Sequence, residues 1–343
     1  MNLQKGINLG GWLSQCEPTV ERYETFIKEE DFKIIKDLGF DHVRVPVDYN
    51  LVEEEDGTYT DGFKYIERAI LWAKKYNLNM ILDLHETYGF VFDDDTKVEF
   101  FSDRAVRERF FKLWETFAHK YAKYKDMLAF ELLNEVTKEE FGPIWNETII
   151  EAVERIRKID KDVKIIFGGT RNNSLSDLVK LPVIKDKNLI YTFHCYEPLI
   201  FTHQGAYWIP TMPLDFRIDY PIKKEELIKA KNGPLKGVYE RWGGEEGFYF
   251  GLTEDEYISR NIFEKLLENV LKFAKDNDLT LYCGEYGVIN LADVNAKVRW
   301  YEDIHKVLEK YNIGRALWSY REMDYGIIDD LNKDVLKDIV KNA

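Results

Sequence analysis

The chain has 343 residues, 45% hydrophobic and 15% aromatic, which is ample for one large core of the α/β-barrel class. Asp and Glu number 62 against 48 Lys and Arg, a formal charge of −14. A surface this acidic repels phosphate backbones and anionic lipid, so neither nucleic acid nor membrane is an expected partner, while a neutral ligand is indifferent to it. The cysteines, Cys16, Cys195 and Cys283, are too few and too widely spaced for a disulfide framework or a zinc site. No apolar run approaches the roughly 18 residues of a membrane span, and the first residues lack a basic segment followed by an apolar one. The expectation is a monomer without cofactor or metal, cytoplasmic or exported by a signal outside this sequence.

Short β-rich runs alternate with helical patterns almost from end to end. The runs are KGINLGG from Lys5, HVRVPV from His42, NMILDLH from Asn79, LAFELLNE from Leu128, VKIIFGG from Val163, LIYTFHCY from Leu189, LYCGEYG from Leu281 and RALWSY from Arg315. Most are continuously apolar rather than alternating, as parallel strands covered on both faces must be. Between them, Phe63, Ile66, Ile70 and Ala73 predict a helix that starts at Asp61 as N-cap and stops near Asn77. Val106, Phe110, Trp114, Phe117 and Tyr121 predict another after Asp103, and further helical patterns cover 144–159, 260–273, 294–308 and 331–340.

About eight such units in this length predict a (β/α)₈ barrel. A doubly wound open sheet is the alternative, but it shows fewer strands and a Gly-rich first turn, and no G-x-G-x-x-G follows the first strand here. One connection, 197–279, is far longer than a βα unit needs and is rich in aromatics. It predicts an inserted lid subdomain at about 197–258, above the C-terminal face of a single catalytic domain 1–343, with the helix over 260–273 following the sixth strand.

Chemistry on such barrels collects at the C-terminal strand ends. The polar residues there are Arg44 on the second strand, His85 on the third, Asn134 and Glu135 on the fourth, His194 and Tyr196 on the sixth, Glu285 on the seventh and Trp318 on the eighth. Singly, each could be a capping or core group. As a set they ring one mouth, because buried charge without partners is expensive. Carboxylates on the fourth and seventh strands face each other across the barrel, an arrangement suited to glycoside hydrolysis. A gap of about 5–5.5 Å gives retention and roughly 6.5–9.5 Å gives inversion. HET from His85 begins like a zinc motif, but Gly89 stands where its second His belongs. His85, His194 and Glu135 are weak evidence for another metal, and neither a G-x-S-x-G elbow nor a P-loop occurs.

These segments resemble glycoside hydrolase family 5. GINLGGW, HVRVPV, LDLH, FELLNE, YTFHCYEP, YCGEYGV and ALWSY occur in family order from Gly6 to Tyr320. A clostridial endoglucanase with a long insertion after its sixth strand, including FTHQ followed shortly by Trp, is similar. The resemblance implies that Glu135 is the acid/base and Glu285 the nucleophile, kept ionised by Arg44 and Tyr196. It implies that Asn134 binds the 2-hydroxyl of the sugar at the cleavage point, that His85 and His194 contact that sugar, and that Trp318 stacks beneath it. A partly buried site near a second carboxylate raises the pKa of Glu135, as a proton donor needs.

Two departures stand out. Val136 replaces the Pro that often follows the acid/base, and HETYGF differs from the commoner HH after the third strand, leaving a contact near Glu86 in question. The implied function is a retaining β-glycosidase, an endo-β-1,4-glucanase on cellulose-type or mixed-linkage β-glucan. β-Mannanase and β-1,3-glucanase remain alternatives, as does a non-catalytic carbohydrate-binding barrel. Trp208 and Trp242 are candidate sugar platforms, the other reading of each being the insertion's own small core.

Overall fold

The computed structural model describes residues 1–94, 96–241 and 255–330, together with Leu336, Ile339 and Val340. The eight expected runs form the parallel strands β1 (Lys5–Asn8), β2 (His42–Asp48), β3 (Asn79–Glu86), β4 (Leu128–Glu131), β5 (Lys164–Gly168), β6 (Leu189–His194), β7 (Thr280–Tyr286) and β8 (Gly314–Leu317). Each strand pairs with the next, and β8 closes onto β1, giving a (β/α)₈ barrel. β4 and β7 are separated by β5 and β6. Three of the eight steps around the barrel separate them, one short of diametrically opposite, so the two carboxylates face each other across the mouth as expected.

Period-two alternation sorts the barrel interior into layers. Ile81, Ala129, Ile166, Ile190, Tyr282 and Ala316 form an apolar layer with Leu3. Two residues further along their strands, Asp83, Glu131 and Thr192 are fully buried, joined by Asn8 and Arg44 from β1 and β2. In register, Asn8 lies beside Arg44 and Asp83 beside Glu131. A polar layer thus sits between the core and the mouth.

The longest helices among the described residues run over Phe63–Lys75, Arg104–Tyr121, Gly142–Ile159, Arg260–Asn277 and Val294–Lys310. Asp103 caps the second of these as expected, its carboxylate accepting from Ala105 N at 2.7 Å. Asp61 does not cap the first. Gly62 occupies that position, the Thr60 hydroxyl accepts its N–H at 3.0 Å, and Asp61 is drawn instead to Lys64 at 2.6 Å. The predicted helix over 331–340 lies outside the described residues except for Leu336, Ile339 and Val340, which are buried.

Two indoles from these helices tie down the chain at the strand ends. Trp114 Nε1 donates to Leu132 O at 3.0 Å and Trp145 Nε1 to Gly168 O at 2.8 Å. Between β6 and the helix Arg260–Asn277, the described part of the insertion holds the short helices Leu199–Thr202, Lys224–Asn232 and Lys236–Arg241. It also holds a two-stranded ribbon, Ile222–Lys223 against Tyr257–Ile258. Its Phe201, Tyr220, Ile222, Leu227, Leu235, Val238 and Ile258 belong to the same buried cluster as the barrel–helix core. No helix among the described residues is long and apolar enough to cross a membrane.

Candidate active site

Arg44 has no exposed surface, so its guanidinium must find all its partners inside the protein. Nε and Nη2 donate to the two oxygens of Glu131 at 2.7 and 2.9 Å. Nη1 donates to Asn8 Oδ1 at 3.0 Å and to Glu285 Oε1 at 2.8 Å, and Nη2 to Asn134 Oδ1 at 2.8 Å. Asp83 Oδ2 lies 3.1 Å from Nη2. Three carboxylates therefore surround one cation, an excess of two negative charges were all ionised. Burial pushes the Asp83 carboxyl up to about 7 and raises Glu131, while Arg44 opposes both shifts.

Glu285 receives a second donor, Tyr196 Oη, on Oε2 at 2.9 Å. With Arg44 on one oxygen and Tyr196 on the other, its position is set by two side chains, one on β2 and one just beyond β6. Asn134 is oriented in the same way. Because Oδ1 accepts from Arg44, its Nδ2 faces His85 Nε2 at 3.2 Å. Nε2 must then be the acceptor, and the proton of neutral His85 sits on Nδ1, 2.7 Å from Asp83 Oδ2. Burial lowers the His85 pKa, favouring that neutral ring.

Glu135 is only 14% exposed at its side chain. Burial is the leading reason its pKa is raised; Asn172, His85 and Arg44 act the other way. Of the two expected causes, burial is the principal one and a neighbouring carboxylate is not among the leading ones. Its Oε2 accepts from Asn172 Nδ2 at 2.8 Å and its Oε1 lies 2.6 Å from His194 Nδ1. His194 Nδ1 is also 3.6 Å from Glu285 Oε2. One donor atom each from Glu135, His194 and Glu285 lies within 4.8 Å of the others. These are the groups that could hold a cation here, and the same distance brings the two carboxylates into the range of a shared substrate atom.

Ladder pairing of β4 ends at Glu131, and Asn134 and Glu135 lie just beyond it. The chain stays anchored because Leu132 N donates to Ile166 O at 2.9 Å and Asn134 N to Leu84 O at 3.0 Å. Beneath the cleft, the Trp318 and His85 rings are stacked, with centroids 5.8 Å apart and planes inclined by 11°. Gly10 leaves room for that indole, since a Cβ there would come 2.8 Å from it. This accounts for one glycine of GINLGGW.

A cleft of about 760 Å³ opens over these groups. His85, Asn134, Glu135, His194, Tyr196, Glu285 and Trp318 all line it, as does Trp208 from the insertion. Arg44 lies underneath and acts through its neighbours. The residues chosen from the strand ends therefore converge. Trp208 is 40% exposed, which is not the burial of a core residue. Trp242 falls outside the described residues.

Asn8, Asp83, Glu131, Asn172 and Asn173 were not singled out from sequence, although all contact site residues. Asp83 and Glu131 had a visible signal, an acid inside an apolar β-run in LDLH and FELLNE. Asn172 and Asn173 had none, since RNN after a strand reads as an ordinary loop. Residues 171 to 173 have φ of 51°, 58° and 54°, three consecutive left-handed residues without a glycine. Such conformations cost on the order of 1–3 kcal/mol each and persist where the surroundings impose them.

The profile described as Cellulase (glycosyl hydrolase family 5) matches residues 5–324. Endoglucanase C of Acetivibrio thermocellus is 36% identical over 346 residues, covering 99% of this chain and 97% of that protein. Cellodextrinase A of Ruminococcus flavefaciens is 40% identical over 313 residues, covering 91% and 83%. Among solved structures, endoglucanase Cel5A of the hyperthermophilic Thermotoga maritima superposes with a TM-score of 0.75 at 28% identity, covering 98% and 97%. That enzyme has also been solved with mannotriose.

Proposed function

Since this chain belongs to the cellulase family, glycosyl hydrolase family 5, we propose that it cleaves internal β-1,4-glucosidic bonds of cellulose-type or mixed-linkage β-glucans by double displacement. The observation that carries the stereochemical part is the approach of a Glu135 oxygen to a Glu285 oxygen within 4.8 Å. That approach is well short of the roughly 6.5–9.5 Å between carboxyl groups that leaves room for a water, and supports the closer spacing of roughly 5–5.5 Å at which one carboxylate attacks the sugar directly.

In the first step a Glu285 oxygen attacks the anomeric carbon and the bond to the leaving oxygen breaks, that oxygen taking the proton of Glu135. Burial of Glu135 favours the protonated form this step requires. In the second step Glu135 accepts a proton from water, the water oxygen bonds the anomeric carbon, and Glu285 leaves as a carboxylate. Arg44 and Tyr196 complement the charge of Glu285 before and after the cycle. Asn134 offers its amide to the 2-hydroxyl, His85 and His194 contact the same sugar, and Trp318 supplies the stacking face beneath it.

The insertion at about 197–258, in its described parts 197–241 and 255–258, is a lid carried by one catalytic domain, and Trp208 is its sugar platform at the rim of the cleft. Mannan hydrolysis is the second reading, favoured by the mannotriose complex of the Thermotoga enzyme. Assays on carboxymethyl cellulose, barley β-glucan, laminarin and mannan, with product sizes, decide between them. Short soluble products from the first two support the assignment; activity confined to mannan or laminarin overturns it. An inverted first-released anomer would refute double displacement, and a Glu285→Ala variant that still hydrolyses at full rate would reject the nucleophile. A barrel that only binds sugar shows no hydrolysis in the native protein.

A further inference from the structure

The left-handed turn at residues 171 to 173 is locked from outside and aimed inward. Arg171 donates to both Asp177 oxygens, at 2.9 and 2.7 Å, and the Thr170 hydroxyl donates to Asp177 Oδ2 at 2.6 Å. Asn172 N–H donates to Val136 O at 3.1 Å, and Asn173 Nδ2 donates to Asn134 O at 3.0 Å. The turn is thus fastened to the residues on both sides of Glu135. From this frame the Asn172 side chain reaches Glu135 Oε2 at 2.8 Å.

Asn173 adds a second effect. A backbone carbonyl can only accept, so its bond to Asn134 O fixes which end of the Asn173 amide is Nδ2. That same Nδ2 lies 3.3 Å from His194 Nε2, which must therefore be the acceptor. The proton of neutral His194 then sits on Nδ1, which points at Glu135 Oε1 from 2.6 Å.

We propose that residues 171 to 173 are a positioning element for the second half of the double displacement: Asn172 directly, and Asn173 through His194, each present an N–H to Glu135 and so stabilise the carboxylate that must activate water. The proposal rests on the double-displacement reading. Burial suits Glu135 to donate its proton in the first step, and the two donors make it a competent base afterwards. The other charged or titratable groups facing it are Arg44 on β2, Asp83 and His85 on β3, His194 on β6, Tyr196 beyond β6 and Glu285 on β7. The Asn172 side chain bonds to Glu135 and to none of these groups.

The test uses Asn172→Gly, which removes the amide while keeping the left-handed backbone accessible, and Asn172→Asp, which replaces the donor by an acceptor. The substrate is 2,4-dinitrophenyl β-cellobioside, whose leaving group departs without a proton. For Asn172→Gly, assayed on the acid limb of kcat where the glycosyl-enzyme holds Glu135 mostly protonated, kcat is expected to fall about tenfold, as the ionised fraction does for a one-unit pKa change, with KM falling alongside and a burst of dinitrophenolate preceding steady state. On barley β-glucan the basic limb of kcat/KM moves about one pH unit upward, because Glu135 holds its proton more tightly. Asn172→Asp does the same more severely. Equal loss of burst and steady-state rates with an unmoved basic limb, or unchanged kcat, overturns the proposal. Trapping the native enzyme with a 2-deoxy-2-fluoro cellobioside, read by mass spectrometry, separates the two readings. Without an adduct on Glu285 the double displacement itself fails; with one, a negative Asn172 result rejects only the role of the turn.

Discussion

Arg44 Nη1 and Glu285 Oε1 stand 2.8 Å apart where Arg44 has no exposed surface. The same guanidinium holds Glu131 through two bonds and orients Asn134 through a third. Removing it would leave several buried carboxyl groups without their cation. Arg44→Met is expected to cost about 3–5 kcal/mol, read as a lower urea midpoint, and to abolish turnover. Arg44→Lys recovers little of either, because an ammonium cannot supply the planar fork that the bidentate bond to Glu131 requires. Full activity in Arg44→Lys would show that charge alone is enough.

Asp83 links acidity to stability. Its carboxyl is pushed up to about 7 by burial, from an unfolded value near 4. Between those values the folded state binds the proton that the unfolded state has lost. This contribution is fully present below about pH 4 and is lost as pH rises through about 7, at a slope of at most about 1.4 kcal/mol per pH unit. Asp83→Asn, which stays neutral, should flatten the fall of the urea midpoint between pH 4 and 8. A parallel curve for the variant would place the titration elsewhere.

Glu135 predicts a dependence on the leaving group. Glu135→Ala should lose on the order of 10²–10⁴-fold in kcat/KM on glucan, and far less on a dinitrophenyl cellobioside that needs no proton. Added azide should then restore turnover of the aryl substrate and give a β-glycosyl azide. A uniform loss on both substrates would assign Glu135 another role.

Trp208 is exposed and lies edge-on to Tyr207, ring centroids 4.9 Å apart. Trp208→Ala should leave thermal stability nearly unchanged and raise KM on long glucans with kcat retained, the pattern of lost uniform binding. A large drop in melting temperature would make it a packing residue.

Much of the site was legible because it was written on the strands. In a parallel barrel each β-run must deliver its last polar residues to one rim, so Arg44, His85, Asn134, Glu135, His194, Tyr196, Glu285 and Trp318 could be chosen without coordinates. The helix start at Asp61 shows the limit of such local reading: Asp61 has the chemistry of a cap, but Gly62 takes the position while Asp61 pairs with Lys64.

Sequence by itself therefore determined the eight βα units, the residues of the mouth and the pairing of two glutamates, because strand periodicity and buried-charge cost act along the chain. Tertiary structure alone decided how far apart those glutamates stand and that three carboxyls share Arg44. It alone decided that an unremarkable RNN loop turns left-handed to place an amide on Glu135. Those outcomes depend on contacts between residues 37 to 241 positions apart, such as Asn172 with Glu135 and Arg44 with Glu285, and no local pattern encodes them.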